Sequence, residues 1–125
     1  KDFPLAWFSD LLAVLEVSFF NVIFTINESV VSFRHSNLNI SLDSKSHKIK
    51  NLAAFEFYYY LLKKKSQHFN DLQKDLIFIS LEKTFLDNKK NIYFWRRFAG
   101  LYLSGLHLKR YALFMSKLIK SILKK

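Results

Sequence analysis

The residue types that most often perform catalysis or bind metals are few and scattered in this sequence. The chain has no cysteine, which excludes a disulfide framework, a thiolate zinc site and a cysteine nucleophile. None of the four histidines has a second histidine four residues away, the spacing that places two zinc ligands on one helix face. We therefore expect neither a metal site nor a cofactor. The histidines are His35, His47, His68 and His107.

One short stretch contains the residue types of a catalytic triad, namely Asp43, Ser46 and His47. A triad is assembled in space by side chains from separate elements, and neighbours in sequence rarely reach that geometry. These three residues fall in a polar break between two predicted elements. We therefore predict that the protein is not an enzyme.

Positive charge is the strongest functional signal, with a formal net charge of +10 in 125 residues. The segment Lys1–Asp43 has two basic and five acidic residues, and Ser44–Asn88 has eight and five. Lys89–Lys125 has ten basic residues and no acidic residue. Such asymmetry is typical of a protein whose basic end binds a polyanion. Composition alone leaves RNA, DNA and an anionic membrane open.

A helical wheel of the last segment separates an apolar arc that includes Leu108, Met115 and Ile119 from an arc of lysine and arginine. Cations on one arc can contact successive phosphates, and a solvated surface or an anionic membrane remains the alternative. The predicted nucleic-acid-binding residues are Lys89, Lys90, Arg96, Arg97, Lys109, Arg110, Lys117, Lys120 and Lys124.

Two aromatic groups could contribute to the same surface. Tyr58–Tyr60 covers most of a helix circumference and adjoins Lys63–Lys65, so base stacking is conceivable there, although packing and helix-dipole stabilisation are commoner roles. Tyr93–Arg97 mixes aromatic residues with arginines and could stack on bases, lie at a lipid interface or belong to the core. We favour the core for Tyr93–Arg97.

The N-terminal third changes its hydrophobic period along the chain. Leu5–Val17 has helical spacing, whereas Ser18–Ile26 alternates with a period of two, as expected of a strand. Shorter alternations at 31–34 and 38–43 predict a second and a third strand, and the three would form an antiparallel sheet. Leu5–Phe24 is long enough to span a membrane, but Asp10, Glu16 and Asn21 would be costly there.

Helices are expected for the remainder of the chain. One apolar stripe comprises Leu52, Phe55, Tyr59 and Leu62, and another comprises Leu72, Leu76, Ile79 and Phe85. Asn70 and Gln73 have the spacing of a capping box. Residues 76–81 are compatible with either a helix or a strand, and Ile92–Leu123 is predicted to be one long helix.

Together these patterns predict an α+β fold in a single domain, residues 1–125. The domain would comprise a mildly acidic helix-plus-strand part (1–43), a helical part (44–88) and a basic helical part (89–125). The expected function is that of a small structural subunit of an RNA-containing, ribosome-like assembly with neighbouring protein subunits. An accessory subunit of a membrane-associated complex is the alternative. Frequent Phe, Lys and Asn favour a mitochondrial or low-GC bacterial source, and a start at Lys1 suggests processing or trimming.

Overall fold

The computed structural model describes residues 3–24, 28, 30, 47–105 and 107–123. The chain divides into two compact units, Lys1–Phe57 and Tyr58–Lys125. The helical elements are, in order, a 3-10 helix Pro4–Ala6, α1 (Ser9–Val17), α2 (His47–Lys64), a 3-10 helix Ser66–His68, α3 (Asp71–Asp87), α4 (Ile92–Ser104) and α5 (Leu108–Leu123).

The predicted α+β class is wrong, because the described part of the chain contains helices and no strand. The alternating segment after α1 begins with turns, in which Phe19 and Phe20 have φ of 51° and 61°, in the left-handed region. The Phe20 N–H donates to the Leu15 carbonyl oxygen at 2.8 Å, which folds the chain back on the helix end. An alternating pattern forms a strand only where a second strand completes the hydrogen-bond ladder. The other two predicted strands, 31–34 and 38–43, lie outside the described residues.

The N-terminal unit is held by aromatic contacts. Phe8 stacks on Phe57 with ring centroids 4.8 Å apart, and Phe3 meets the same ring edge-on at 5.7 Å. The helix predicted from Leu5 is interrupted, because Phe8 has φ of 72° and α1 begins only at Ser9. Sequence spacing therefore located the helix but not its first turn.

The helices α2 and α3 confirm the helical predictions for the middle of the chain. The side chains of Phe55, Tyr59 and Leu62 in α2 are buried, as their spacing predicts. The capping box is formed: Asn70 Oδ1 accepts from the Gln73 N–H and Gln73 Oε1 accepts from the Asn70 N–H, both at 2.9 Å. Residues 76–81 are helical, which decides the alternative in favour of helix.

The predicted long helix from Ile92 to Leu123 is divided into α4 and α5. The break falls at Gly105, which lowers helix propensity by about 1 kcal/mol relative to alanine. The Gly105 N–H still donates to the Leu101 carbonyl oxygen at 3.1 Å, and the His107 N–H donates to the Tyr102 carbonyl oxygen at 3.0 Å. These bonds turn the chain so that α5 packs back against α4.

An aromatic cluster fills the core of the C-terminal unit. Phe98 of α4 is fully buried and stacks on Phe85 of α3 with centroids 4.4 Å apart. It also contacts Phe114 of α5 at 4.9 Å and Tyr102 at 4.7 Å. Each such pair contributes about 0.5–1.5 kcal/mol beyond the burial of apolar area. The cluster therefore joins α3, α4 and α5 around one side chain.

Candidate nucleic-acid interface

The packing of α5 decides which of its cations face outward. Phe114 and Leu118 are buried against the core. Lys109 is nine residues before Leu118, which places it about 180° away around the helix. Lys109, Lys117 and Lys120 are all exposed. We call these three lysines the cationic face of α5.

Three further candidate residues lie on the surface of the same unit. Lys89 and Lys90 are exposed in the turn between α3 and α4, and Arg96 is exposed on α4. The turn is tied to α4 because the Trp95 indole Nε1–H donates to the Lys89 carbonyl oxygen at 2.7 Å. Lys124 lies outside the described residues. This hydrogen bond therefore fixes the backbone at Lys89 relative to α4.

Arg97 belongs to an internal cation–aromatic contact. Its guanidinium lies over the Tyr59 ring, 4.2 Å from the centroid, and 5.5 Å from that of Tyr93. The arginine is half-buried, as expected for a core-facing part of the aromatic run that begins at Tyr93. Contacts of this kind contribute about 0.5–2 kcal/mol. Arg97 therefore stabilises the packing of α4 on the C-terminal end of α2.

Arg110 also binds within the protein. Its Nε–H donates to Glu82 Oε1 at 3.0 Å, its Nη1 pairs with the Asp75 carboxylate, and its guanidinium lies over the Phe78 ring. The two acidic residues are on α3, 28 and 35 positions earlier in the sequence. Arg110 lies in the segment without acidic residues, Lys89–Lys125, and the carboxylates that pair with it belong to α3. No sequence pattern indicates that pairing.

Glu82 also accepts a hydrogen bond from the buried Tyr102, and so it links Arg110 to the core. The Tyr102 hydroxyl donates to Glu82 Oε1 at 2.8 Å, and the tyrosine is fully buried. Burial raises the pKa of the Tyr102 hydroxyl above its usual range, and the hydrogen bond to the Glu82 carboxylate raises it further. Desolvation lowers the pKa of the Arg110 guanidinium, but the hydrogen bond and charge of Glu82 outweigh it and the net change is upward. Both groups therefore keep their protons at neutral pH.

A stripe of apolar side chains runs along the outside of α3. Of the four apolar residues noted at helical spacing in the sequence, Leu72, Leu76 and Ile79 are exposed and Phe85 is buried. The buried positions of α3 are instead Phe78, Leu81, Thr84 and Phe85. We call the exposed residues at helical spacing, with Lys83 among them, the α3 stripe. Its members are Leu72, Leu76, Ile79, Lys83 and Leu86.

The α3 stripe leads into a groove between α3 and α5. The groove has a volume of about 410 Å³, and its walls combine apolar side chains with lysines at the rim. The lining residues are Ile79, Glu82, Lys83, Leu86, Phe114, Lys117 and Leu118. An amphipathic segment of another molecule could place apolar side chains in it.

Other chemistry finds little support. Among the described residues, no three histidine, cysteine, aspartate or glutamate side chains form a group able to hold a metal ion. His47 begins α2, and its Nδ1 lies 3.4 Å from Asn51 Nδ2, whereas Asp43 and Ser46 are outside the described residues. No helix in the described ranges combines the length and the apolar character needed to cross a bilayer.

Comparison with known proteins adds no family to this picture: no family model, curated protein or solved structure matches the chain. Function must therefore be argued from the surfaces of the C-terminal unit. The cationic face, the α3 stripe and the groove are the surfaces available for that argument.

The raised pKa of Tyr102 predicts how stability changes at high pH. In the unfolded chain the hydroxyl titrates near about 10, whereas the folded protein retains the proton to higher pH. The protonated Tyr102 hydroxyl therefore makes its full contribution to the free energy of unfolding below about pH 10. As the pH rises further, this contribution is lost by at most about 1.4 kcal/mol per pH unit. Urea unfolding of the wild type and Tyr102→Phe should show a stability gap that narrows above this pH. A gap independent of pH would contradict the buried hydrogen bond to Glu82.

Proposed function

We propose that the protein is a non-enzymatic basic subunit of a larger RNA-containing assembly and that the cationic face of α5 contacts the phosphate backbone. The observation that supports this is the exposure of Lys109 and Lys120 on the side of α5 that points away from Leu118, with Lys117 also exposed beside the groove between α3 and α5. No acidic residue occurs after Asp87 in the sequence. The face therefore presents positive charge without a carboxylate from its own helix.

The dimensions of the face suit contact with several phosphates. Lys109 and Lys120 are eleven residues apart, which corresponds to about 16 Å along a helix axis. Nucleic-acid phosphates are spaced more closely than this, so a single strand can contact more than one lysine. Lys89, Lys90 and Arg96 add exposed charge in the same unit.

The side chains of this face favour backbone contact over base reading. Between its lysines α5 exposes Leu113 and Ser116, and it lacks the arginine, asparagine or glutamine pairs that read base edges in a groove. Contacts of lysine with phosphate position a nucleic acid without reading its sequence. Such contacts suit a subunit that is placed by its assembly rather than a sequence-specific regulator.

A membrane surface is the competing partner, and the packing of α5 weighs against it. A helix that lies on a bilayer buries its apolar face in lipid. In α5 that face carries Phe114 and Leu118, which are already buried against α3 and α4. Leu108, Leu113 and Ile119 are exposed on α5, so binding to anionic vesicles is a second outcome that the experiment below tests.

A protein neighbour is proposed for the α3 stripe and its groove. Four apolar side chains of the stripe are between 40% and 71% exposed, which is unusual for so regular a set. Lys83 and Lys117 at the groove favour a partner with acidic residues, and the net charge of +10 opposes a second copy of this chain. The expected occupant is an amphipathic helix with leucine-type residues flanked by glutamate or aspartate.

The RNA proposal predicts a change in the salt dependence of binding. Replacement of Lys109, Lys117 and Lys120 by Gln should weaken binding to unrelated RNAs by similar factors. The slope of log affinity against log salt should fall by about 0.7 for each lost contact with single-stranded RNA. Electrophoretic or fluorescence titration of 5′-hydroxyl RNA oligomers over a range of salt concentrations measures both effects.

The matched control for this experiment removes three lysines from another helix. Lys48, Lys50 and Lys64 lie on α2, and their replacement by Gln makes the same change in net charge. The control variant should retain more of the slope than the α5 variant. Equal slopes in the two variants, or binding to anionic vesicles but not RNA, would contradict the proposal.

The protein-docking proposal is tested with a designed helix as probe. A leucine-rich amphipathic peptide with glutamate flanks should bind, and the same peptide with lysine flanks should bind at least about tenfold more weakly. Ile79→Asp should abolish binding of the glutamate peptide, whereas Leu113→Asp on α5 should preserve it. Fluorescence anisotropy of labelled peptides reports the affinities. Equal binding of the two peptides would overturn the charge argument.

A further inference from the structure

A second cavity of the C-terminal unit lies where the end of α2, the first turns of α3 and the α4–α5 turn meet. It has a volume of about 450 Å³. Its polar lining consists of Lys63, Ser66, Lys74, Ser104 and His107. No carboxylate belongs to this lining. The cavity therefore presents ammonium, hydroxyl and imidazole groups to one solvent-accessible space.

The two lysines retain donors for a ligand. Lys63 Nζ donates to the Tyr59 hydroxyl at 3.0 Å, a neutral partner that uses one of its three N–H groups. Lys74 Nζ lies 3.6 Å from Asp71 Oδ1, but Asp71 is fully exposed, and such surface pairs are weak. A doubly charged phosphate is a stronger partner for both ammonium groups than the contacts they make here.

His107 lies at the wall of the cavity, close to Gly105. A Cβ at position 105 would lie 2.7 Å from His107 Cδ2 and 3.1 Å from Nε2, so the ring occupies space that only glycine leaves open. The ring also meets Phe78 edge-on, with centroids 5.0 Å apart. The exposed imidazole therefore lies close to Gly105 in the α4–α5 turn and contacts Phe78 of α3.

The shape and lining together indicate the ligand. A phosphate ion is much smaller than the cavity, whose volume lies within the range of about 300–1,000 Å³ typical of small-molecule sites. Leu62, Phe78 and Leu101 supply an apolar wall against which a planar group can pack. We propose that this cavity binds a nucleotide, with its phosphate between Lys63, Lys74 and His107 and its base or sugar against the apolar wall. The site uses no residue of the cationic face of α5 and goes beyond the function proposed above.

Two sources supply such a nucleotide, a free mononucleotide and the 5′-phosphorylated end of an RNA, and binding measurements distinguish them. The full chain is titrated with 5′-AMP, with an RNA oligomer that has a 5′-phosphate, and with the same oligomer that has a 5′-hydroxyl. Each titration is monitored by NMR of the His107 imidazole resonances and by calorimetry. If the ligand is an RNA end, the 5′-phosphate oligomer shifts the imidazole resonances at lower concentration than 5′-AMP does. If it is a free nucleotide, 5′-AMP binds at least as tightly as the oligomer.

The variants test the assigned groups. Lys63→Gln and Lys74→Gln should each weaken 5′-AMP binding about tenfold, the size of one charge-assisted hydrogen bond. Gly105→Ala should move the His107 ring and weaken binding, while Lys64→Gln, which removes an exposed lysine outside the cavity, should leave it unchanged. Unchanged affinity in the Lys63 and Lys74 variants, or no imidazole shift with any phosphate ligand, would overturn the proposal. The RNA proposal predicts that the 5′-hydroxyl oligomer binds through α5 without shifting the His107 resonances, and 5′-AMP binding does not involve α5, so failure of this site is distinguishable from failure of the RNA proposal.

Discussion

The stacking of Phe98 on its neighbours sets the orientation of the helices in the C-terminal unit. Phe98 contacts Phe85 of α3 and Phe114 of α5, and it is fully buried. Once Phe114 points toward Phe98, the helical repeat places Lys109 and Lys120 on the opposite side of α5. The cationic face is therefore a consequence of aromatic packing, and a rotation of α5 would bury lysines or expose aromatic rings.

The polar network around Glu82 reinforces this orientation. Arg110 and Tyr102 both donate to Glu82 Oε1, so a carboxylate of α3 is bonded to α4 and α5 at once. A partly buried carboxylate is costly without such partners, which favours one rotation of α5. Arg97, over the rings of Tyr59 and Tyr93, serves the packing of α4 in a similar way. Two arginines of the basic segment thus help to assemble the unit, whereas its lysines in the described part of the chain are exposed.

Local signals in the sequence predicted local structure well. The Asn70–Gln73 capping box and the buried stripe of α2 depend on residues within one or two turns, and both are confirmed. The strand predicted for Ser18–Ile26 was wrong because alternation indicates a face but cannot supply a pairing partner. The break at Gly105 was missed because the apolar pattern continues through it.

The candidate site was predictable only in part, because local sequence patterns do not show which distant segments pack together. Net charge and spacing correctly indicated exposed lysines on α5, whereas the pairing of Arg110 with Glu82 depends on tertiary packing across 28 residues. Leucine and isoleucine at helical spacing usually are buried, but Leu72, Leu76 and Ile79 of α3 are exposed. The buried residues of α3 are instead Phe78, Leu81, Thr84 and Phe85, which leaves most of that stripe outside the core. The cavity at Lys63, Lys74 and His107 combines three separate elements, so no sequence window contains it.

The central claim is that Arg110 binds within the protein whereas the lysines of the cationic face of α5 contact RNA. NMR tests this claim most directly. A 5′-hydroxyl RNA oligomer is titrated into isotope-labelled protein while the lysine Hε–Cε signals and the arginine Nε–Hε signals are followed. The account predicts that Lys109, Lys117 and Lys120 shift, whereas the Arg110 Nε–Hε signal stays in place because Glu82 retains that hydrogen bond. A shift of Arg110 with the three lysine signals unmoved would contradict the account.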